Sequence, residues 1–325
     1  MNPAYSVIFL TTLSGAGQGL FLALFTAQCL TLLGLFAPQT NDFYWHGSLL
    51  AVVLLIGGLI ASFFHLGHPE RAWRSAARWR TSWLSREVIV LPAMITGTLI
   101  YGFIWHMDWD LSLLGVSTGI PNDLALLIGF GTMLIAFLLF VCTGMIYACI
   151  KFLQEWASPL TVINYTVLGM ASGFTLATAY SAYQAPALRE FYAIWAIALT
   201  LIGLITRGLS LLRNARIKYK STLQTAIGVR HAKIVQKAQG QMGGSFNTRE
   251  FFHGVRAGLF RSIKWSFLIL TFALPLALLT AGLINKHPGI FAAAFAIQYL
   301  GLLAERWFFF AQANHSQNLY YQTIS

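Results

Sequence analysis

From His65 to Val88 the chain reads HLGHPERAWRSAARWRTSWLSREV, which packs two histidines, two glutamates, five arginines and three tryptophans between two apolar runs. The groups able to do proton chemistry stand at its two ends. His65 closes the apolar run before the motif and Glu87 opens the one after it. An imidazole titrates near pH 6.5 and can pass a proton or hydrogen-bond a neutral ligand, and a positioned carboxyl can relay a proton. Together they offer one hydrogen-bond partner for the carbonyl of a neutral ligand and one proton carrier nearby. A plainer reading of the same residues is also open. His65 can cap the helix before the loop, and Glu87 can sit at the positive end of the helix after it. The arginines would then anchor to headgroups, with Trp73, Trp79 and Trp83 as interfacial belt residues.

The elements that must position this motif follow from composition. Of 325 residues, 57% are hydrophobic and only 10% charged, with a mean hydropathy of +0.65. A soluble domain carries about 45–50% apolar and about 25% charged residues, so this chain is solvated mainly by lipid. A membrane-spanning helix needs about 20 apolar residues. Eight such runs are present, at roughly 6–36, 44–64, 86–106, 123–150, 159–183, 191–212, 262–284 and 290–310. They are continuous, unlike the alternating segments of a membrane barrel, and helices satisfy every backbone amide within the segment. The expected fold is all-α, a polytopic membrane bundle of eight transmembrane helices forming one anchor domain over residues 1–325. No Lys or Arg precedes the first run, so that helix reads as retained. Cys29, Cys142 and Cys149 fall inside helices without a metal-binding spacing and read as packing residues.

With eight helices, both termini and the even-numbered connections share one side. That side collects nineteen of the twenty-one Lys and Arg residues; Arg189 and Lys286 lie on the other. Cytoplasmic loops gather positive charge, so the motif and both termini are expected in the cytoplasm. The net charge of +11 is then a topology signal that calls for membrane lipid and for no nucleic acid. The longest connection, about 213–261, is a basic cytoplasmic loop. Within it TLQTAIGVRHAKIVQKAQ places Leu223, Ile227 and Ile234 near one helical face, apart from Arg230, Lys233 and Lys237. This suits a short amphipathic helix lying on anionic headgroups as well as a solvated basic loop. GQMGGSFN after it reads as a linker.

Ionisable residues within a membrane default to functional hypotheses. Here the polar residues well inside helices are Gln18, Gln28 and Gln298, and the chargeable ones gather near helix ends. Ion-coupled transporters place carboxylates or broken helices at a central site, so transport is disfavoured. A haem would want two facing histidines deep in the bundle. Only His46 with His106 is worth considering, and no haem is expected.

The motif resembles the second-loop signature of the dimethyl sulfoxide reductase membrane-anchor family, related more distantly to the polysulfide reductase type anchors. CTGMIYACIKFLQEW (142–156) is similar to that family's fourth-helix exit, and LLAERWFFFAQA (302–313) to its final helix. The resemblance covers essentially the whole chain. It implies an anchor that holds an iron–sulfur subunit and a molybdopterin catalytic subunit on one membrane face and exchanges electrons with quinone near that face. Molybdopterin and clusters would belong to the partners only, because no cysteine cluster here could ligate them. Matched residue by residue, His65 takes the family's quinone-site histidine and Glu87 the acidic residue after the loop. Arg71, Ser85 and Arg86 extend the site from the same motif, and Glu305 and Arg306 from the last helix. Arg74, Arg78, Arg80 and Trp83 are the expected partner-docking residues. The arginine-rich loop and the closing ANHSQNLYYQ are similar to the branch that oxidises sulfite, which suits a cytoplasmic orientation. The resemblance therefore implies sulfite:quinone oxidoreduction. Quinol oxidation for a sulfoxide reductase remains the alternative, with the same residues.

Overall fold

The computed structural model describes residues 3–64, 66–116, 119–219, 221–235 and 256–314. Among them, eight helices are long and apolar enough to cross a membrane: α1 Tyr5–Leu32, α2 Asn41–Phe63, α3 Trp83–Met107, α4 Asp123–Ala148, α5 Pro159–Gln184, α6 Pro186–Ala215, α7 Ala257–Asn285 and α8 Pro288–Ala311. Local chemistry sets their ends. Thr40 caps α2 by accepting from the Phe43 amide (3.2 Å), Ser82 caps α3 by accepting from Ser85, and Ser158 with Pro159 opens α5. The first helix stops at Leu32, short of the expected residue 36, and Gly34 then turns in the left-handed region at φ 72°. The sixth starts at Pro186, five residues earlier than hydropathy alone indicates, because proline suits a first helical position.

α1 is the central helix and packs against α2, α4, α5 and α8. α2, α3 and α4 gather on one side of the α1–α5 pair, while α6 and α8 pack on α5, with α7 against both. Hydrophobic driving force between helices is weak in lipid, so close backbone approach holds such a bundle. The sequence supplies it as Gly15-x-x-x-Gly19 on α1 facing Gly169-x-x-x-Gly173 on α5. A Cβ at Gly173 would run into the Gly19 backbone. Outward positions such as Val53, Phe130, Leu134, Ile194 and Ile205 are exposed apolar side chains, which lipid covers.

α7 is irregular. Its backbone opens into a π turn at Ile269–Ala273, just ahead of Pro275, whose missing N–H cannot serve the Thr271 carbonyl. Gln298 of α8 donates to that carbonyl (3.4 Å) and to Thr200 Oγ1 (3.1 Å), which joins α6, α7 and α8 inside the bundle.

The motif loop is ordered as a 3₁₀ segment, Pro69–Arg78. The long basic connection after α6 shows, among the described residues, a one-turn helix, Leu223–Ile227, ended by Gly228 at φ 72°. The amphipathic helix considered from sequence is thus not continuous through Ile234, and Lys237 and GQMGGSFN lie outside the described residues. So does His315 onward in ANHSQNLYYQ. His46 and His106 are exposed, and the His106 ring stacks on Trp45 at 4.9 Å.

Candidate functional site

Glu87 does not cap α3. Ser82 does, and Glu87 lies a full turn inside the helix, 7% exposed. Its Oε1 accepts from Thr143 Oγ1 of α4 at 2.5 Å. A buried carboxyl is costly unless hydrogen-bonded, and the α3–α4 contact places a hydroxyl that meets the need. Pro92 within α3 has no amide to serve the Val88 carbonyl, which leaves a backbone acceptor one residue from Glu87.

Two cavities meet at this side chain. The outer is an apolar cleft of about 140 Å³ between α1, α2, α3 and the loop, lined by Leu10, Leu59, Phe63, Leu84, Val88 and Leu91, with Ser62, Ala72, Ser75 and Glu87 among its few polar or small groups. The inner is about 10 Å³, space for one water. It is lined by Ser14, Gln18, Glu87, Thr143 and Tyr165. Ser14 Oγ, Gln18 Oε1 and Tyr165 Oη have no partner in hydrogen-bond geometry. Glu87 thus stands between an apolar cleft under the loop and a polar cavity in the bundle.

The loop's three-residue turn separates its faces. Ala72 and Ser75 face the cleft, whereas Arg71 and Arg74 fall on another face and are exposed. Arg71 pairs loosely with Glu70 at 3.6 Å. Arg74 stacks on Trp73 at 5.4 Å and Arg80 on Trp79 at 5.5 Å, and Arg78 is exposed beside them. Arg86 has a different task. It donates to the Trp79 and Arg80 carbonyls at 2.9 and 2.8 Å and lies 4.1 Å over the Trp83 ring, pinning the loop to the start of α3. Ser85 is buried but does not line either cavity. His65 lies outside the described residues; its neighbour Leu66 lines the cleft.

Glu305 and Arg306 are not in the cleft. With Arg207 they form a buried charge cluster, 0%, 4% and 1% exposed. Arg306 Nη1 donates to Glu305 Oε2 at 2.7 Å, and Arg207 Nε lies 2.7 Å from Glu305 Oε1, an ionic contact whose N–H is not aimed well at the oxygen. Arg306 also sits 3.8 Å over the Tyr165 ring, so the cluster reaches the inner cavity through Tyr165. Arg207 and Arg306, counted by sequence among the cytoplasmic-side charges, are therefore inside the bundle. Sequence reasoning gave Arg207 a place in the charge count but no site role, and passed over Thr143 and Tyr165. The only signal for them was a polar side chain within an apolar run.

The other two segments that carry the resemblance meet in space. Trp156 Nε1 donates to the Phe309 carbonyl at 2.9 Å, and its ring stacks on Phe309. Glu155 Oε1 accepts from Tyr219 Oη (2.6 Å) and from the Asn314 amide (3.2 Å) and Nδ2 (3.0 Å). Burial, then the Glu155 carboxylate, push the Tyr219 hydroxyl up to about 12. Arg213 donates to the Gln154 and Ala157 carbonyls. These contacts fasten the α4–α5 connection to the ends of α6 and α8 on the face that carries the motif loop.

Residues 1–246 match the profile of the family described as "DMSO reductase anchor subunit (DmsC)". The chain is also 54% identical over all 325 residues, the full length of both proteins, to a sulfite dehydrogenase subunit of Allochromatium vinosum. Eight helices long and apolar enough to cross a membrane, the loop packed over α3 and a profile match across most of the length lead to one conclusion: the chain belongs to the DMSO reductase anchor subunit family.

Proposed function

We propose that this protein is the quinone-reactive membrane anchor of a sulfite:quinone oxidoreductase. The observation that carries the site is Glu87, held by Thr143 at the boundary between the apolar cleft and the inner polar cavity. The cleft suits the neutral, flat headgroup of a lipid-soluble quinone, with one carboxyl at hand and apolar walls toward lipid. The similarity to a sulfite dehydrogenase subunit supports sulfite as the electron source.

Reduction of a quinone to a quinol takes two electrons and two protons. A molybdopterin subunit with an iron–sulfur subunit would supply the electrons from sulfite. The protons are this chain's concern. Glu87 hands a proton to the quinone oxygen and is reprotonated from the loop side, with His65 the second relay. Thr143 fixes the carboxyl's orientation. The Arg207–Glu305–Arg306 cluster, two cations to one anion, favours electron density arriving nearby through Coulomb attraction in a low-dielectric setting.

Arg71, Arg74, Arg78 and Arg80, exposed over the cleft, form the seat for an acidic face of the iron–sulfur subunit. The charge asymmetry supports placing that face, and both termini, in the cytoplasm of a bacterial inner membrane.

Membranes carrying the whole complex test the substrate. Sulfite is expected to drive reduction of added short-chain quinone. Quinol oxidation by a sulfoxide, with no response to sulfite, would leave the family standing and reverse the direction of flow.

A further inference from the structure

A second cavity lies at the helix ends on the face opposite the motif. It holds about 340 Å³ among the ends of α1 to α4 and is lined by Gln28, Thr31, Tyr44, Trp105, Asp108 and Asn122, among others. That volume is within the range of about 300–1,000 Å³ typical of ligand pockets and exceeds that of the cleft at Glu87. Trp105 and Glu87 are eighteen residues apart on one helix, about 27 Å along its axis, so this is a separate place.

Its polar groups are partly satisfied. Gln28 Oε1 accepts from Tyr101 Oη (2.9 Å) and its Nε2 donates to the Asn122 carbonyl (3.4 Å). Asp108 at the rim accepts from Asn41 Nδ2 at 3.1 Å. Three groups are left over. Thr31 Oγ1 stands near Tyr44 Oη and Trp105 Nε1 near Tyr101, but none of the three has a partner in hydrogen-bond geometry. Tyr44 is 1% exposed and Trp105 5%, and their rings stack at 4.0 Å to make one wall. Buried polar groups are as a rule paired, so three in one cavity point to a ligand that pairs them. The backbone is unusual here as well: Asp108 and Asn122 are two of the non-glycine residues with positive φ, at 54° and 53°, a conformation that concentrates at ligand sites.

The leftover groups define the ligand. The indole N–H only donates, so the ligand carries an acceptor. No Lys or Arg lines the cavity to hold an anion, its one carboxylate, Asp108, stands at the exposed rim, and the three leftover groups inside are all uncharged, so the groups to be paired call for a neutral ligand. Leu32, Pro38, Pro121 and Leu126 complete the lining and give it an apolar body. We propose that this cavity is a second binding site, for a neutral amphiphile whose carbonyl oxygen accepts from Trp105 and Tyr44. A quinone headgroup and the ester carbonyl of a lipid both carry that chemistry. At this distance from the motif face the site binds without exchanging electrons.

Photo-crosslinking of the purified complex in lipid nanodiscs tests this, with a short-chain azidoquinone in one arm and a phospholipid bearing a photoreactive group beside its ester in the other. One probe is expected to label residues 28–44 and 105–126, with labelling reduced at least tenfold in Tyr44→Phe/Trp105→Phe. Competition by unlabelled quinone assigns the carbonyl to a quinone, and competition by lipid alone assigns it to a lipid ester. Labelling absent with both probes, or equal in the variant, overturns the proposal. Sulfite-linked quinone reduction should stay within about twofold of wild type in the variant, which reports a folded complex. Thr31→Val offers a milder variant should the double one not assemble. The labelling result stands whether or not sulfite proves to be the electron donor, so failure of one reading is distinguishable from failure of the other.

Discussion

Glu305 is the carboxylate between two buried guanidinium groups, and its removal exposes what it does. Glu305→Gln leaves Arg207 and Arg306 facing each other without that counter-charge. Breaking a buried pair in this way costs about 3–5 kcal/mol, so the variant should show a lower thermal midpoint in detergent than Arg71→Gln, which loses only an exposed contact. Thr143→Val should leave Glu87 without its donor, at a cost of about 1–3 kcal/mol, and raise the KM for quinone more than it lowers stability. Tyr219 gives a pH signature. Its neutral hydroxyl is the bonded form and its folded value is raised. The stabilisation is therefore present below the ordinary value near 10 and lost as pH rises through about 12. A thermal-midpoint profile from about pH 8 to 12 should fall over that window in wild type and less in Tyr219→Phe. Glu87 stood out in the sequence as a candidate because an acidic residue marked the edge of an apolar run, across the loop from His65. Thr143 and Tyr165 were not, since a lone hydroxyl in a membrane helix has no pattern and meaning comes only when another helix packs against it.

The α1–α5 crossing carries most of the architecture, because the two glycine pairs bring backbone against backbone. Gly173→Val places branched carbons where the Gly19 backbone already lies and should abolish a well-folded bundle, seen as loss of a monodisperse peak in size-exclusion chromatography. Gly208→Val, where a Cβ meets nothing within 4 Å, should be tolerated. All eight helices could be read from hydropathy, since the bilayer imposes length and apolarity on each. Their ends could not be, because a serine cap, a left-handed glycine or a first-turn proline shifts a boundary without altering mean hydropathy. The π turn in α7 and the 3₁₀ form of the motif loop were likewise hidden.

At the scale of the whole molecule, the proposed orientation and partner-docking face both rest on charge. Nineteen of twenty-one basic residues belong to the side of the termini by sequence, although Arg207 and Arg306 turn inward. Arg230→Cys, in a background with Cys29, Cys142 and Cys149 replaced, should resist an impermeant maleimide in intact cells and react in inverted vesicles. Val116→Cys in the same background should do the reverse. The charge count needs only the sequence and the helix number, whereas the meeting of Glu155, Trp156 and the end of α8 on that face needed the fold.

The central claim is that quinone is reduced in the cleft at Glu87. Its most direct test is sulfite-dependent quinone reduction in membranes carrying the complex with Glu87→Gln, beside His65→Arg and wild type, and with sulfite-dependent reduction of a soluble dye measured in each. The account predicts that both variants lose at least tenfold in quinone reduction and keep dye reduction near wild type. Quinone reduction at the wild-type rate in Glu87→Gln, with dye reduction intact, would contradict it and place the reaction elsewhere.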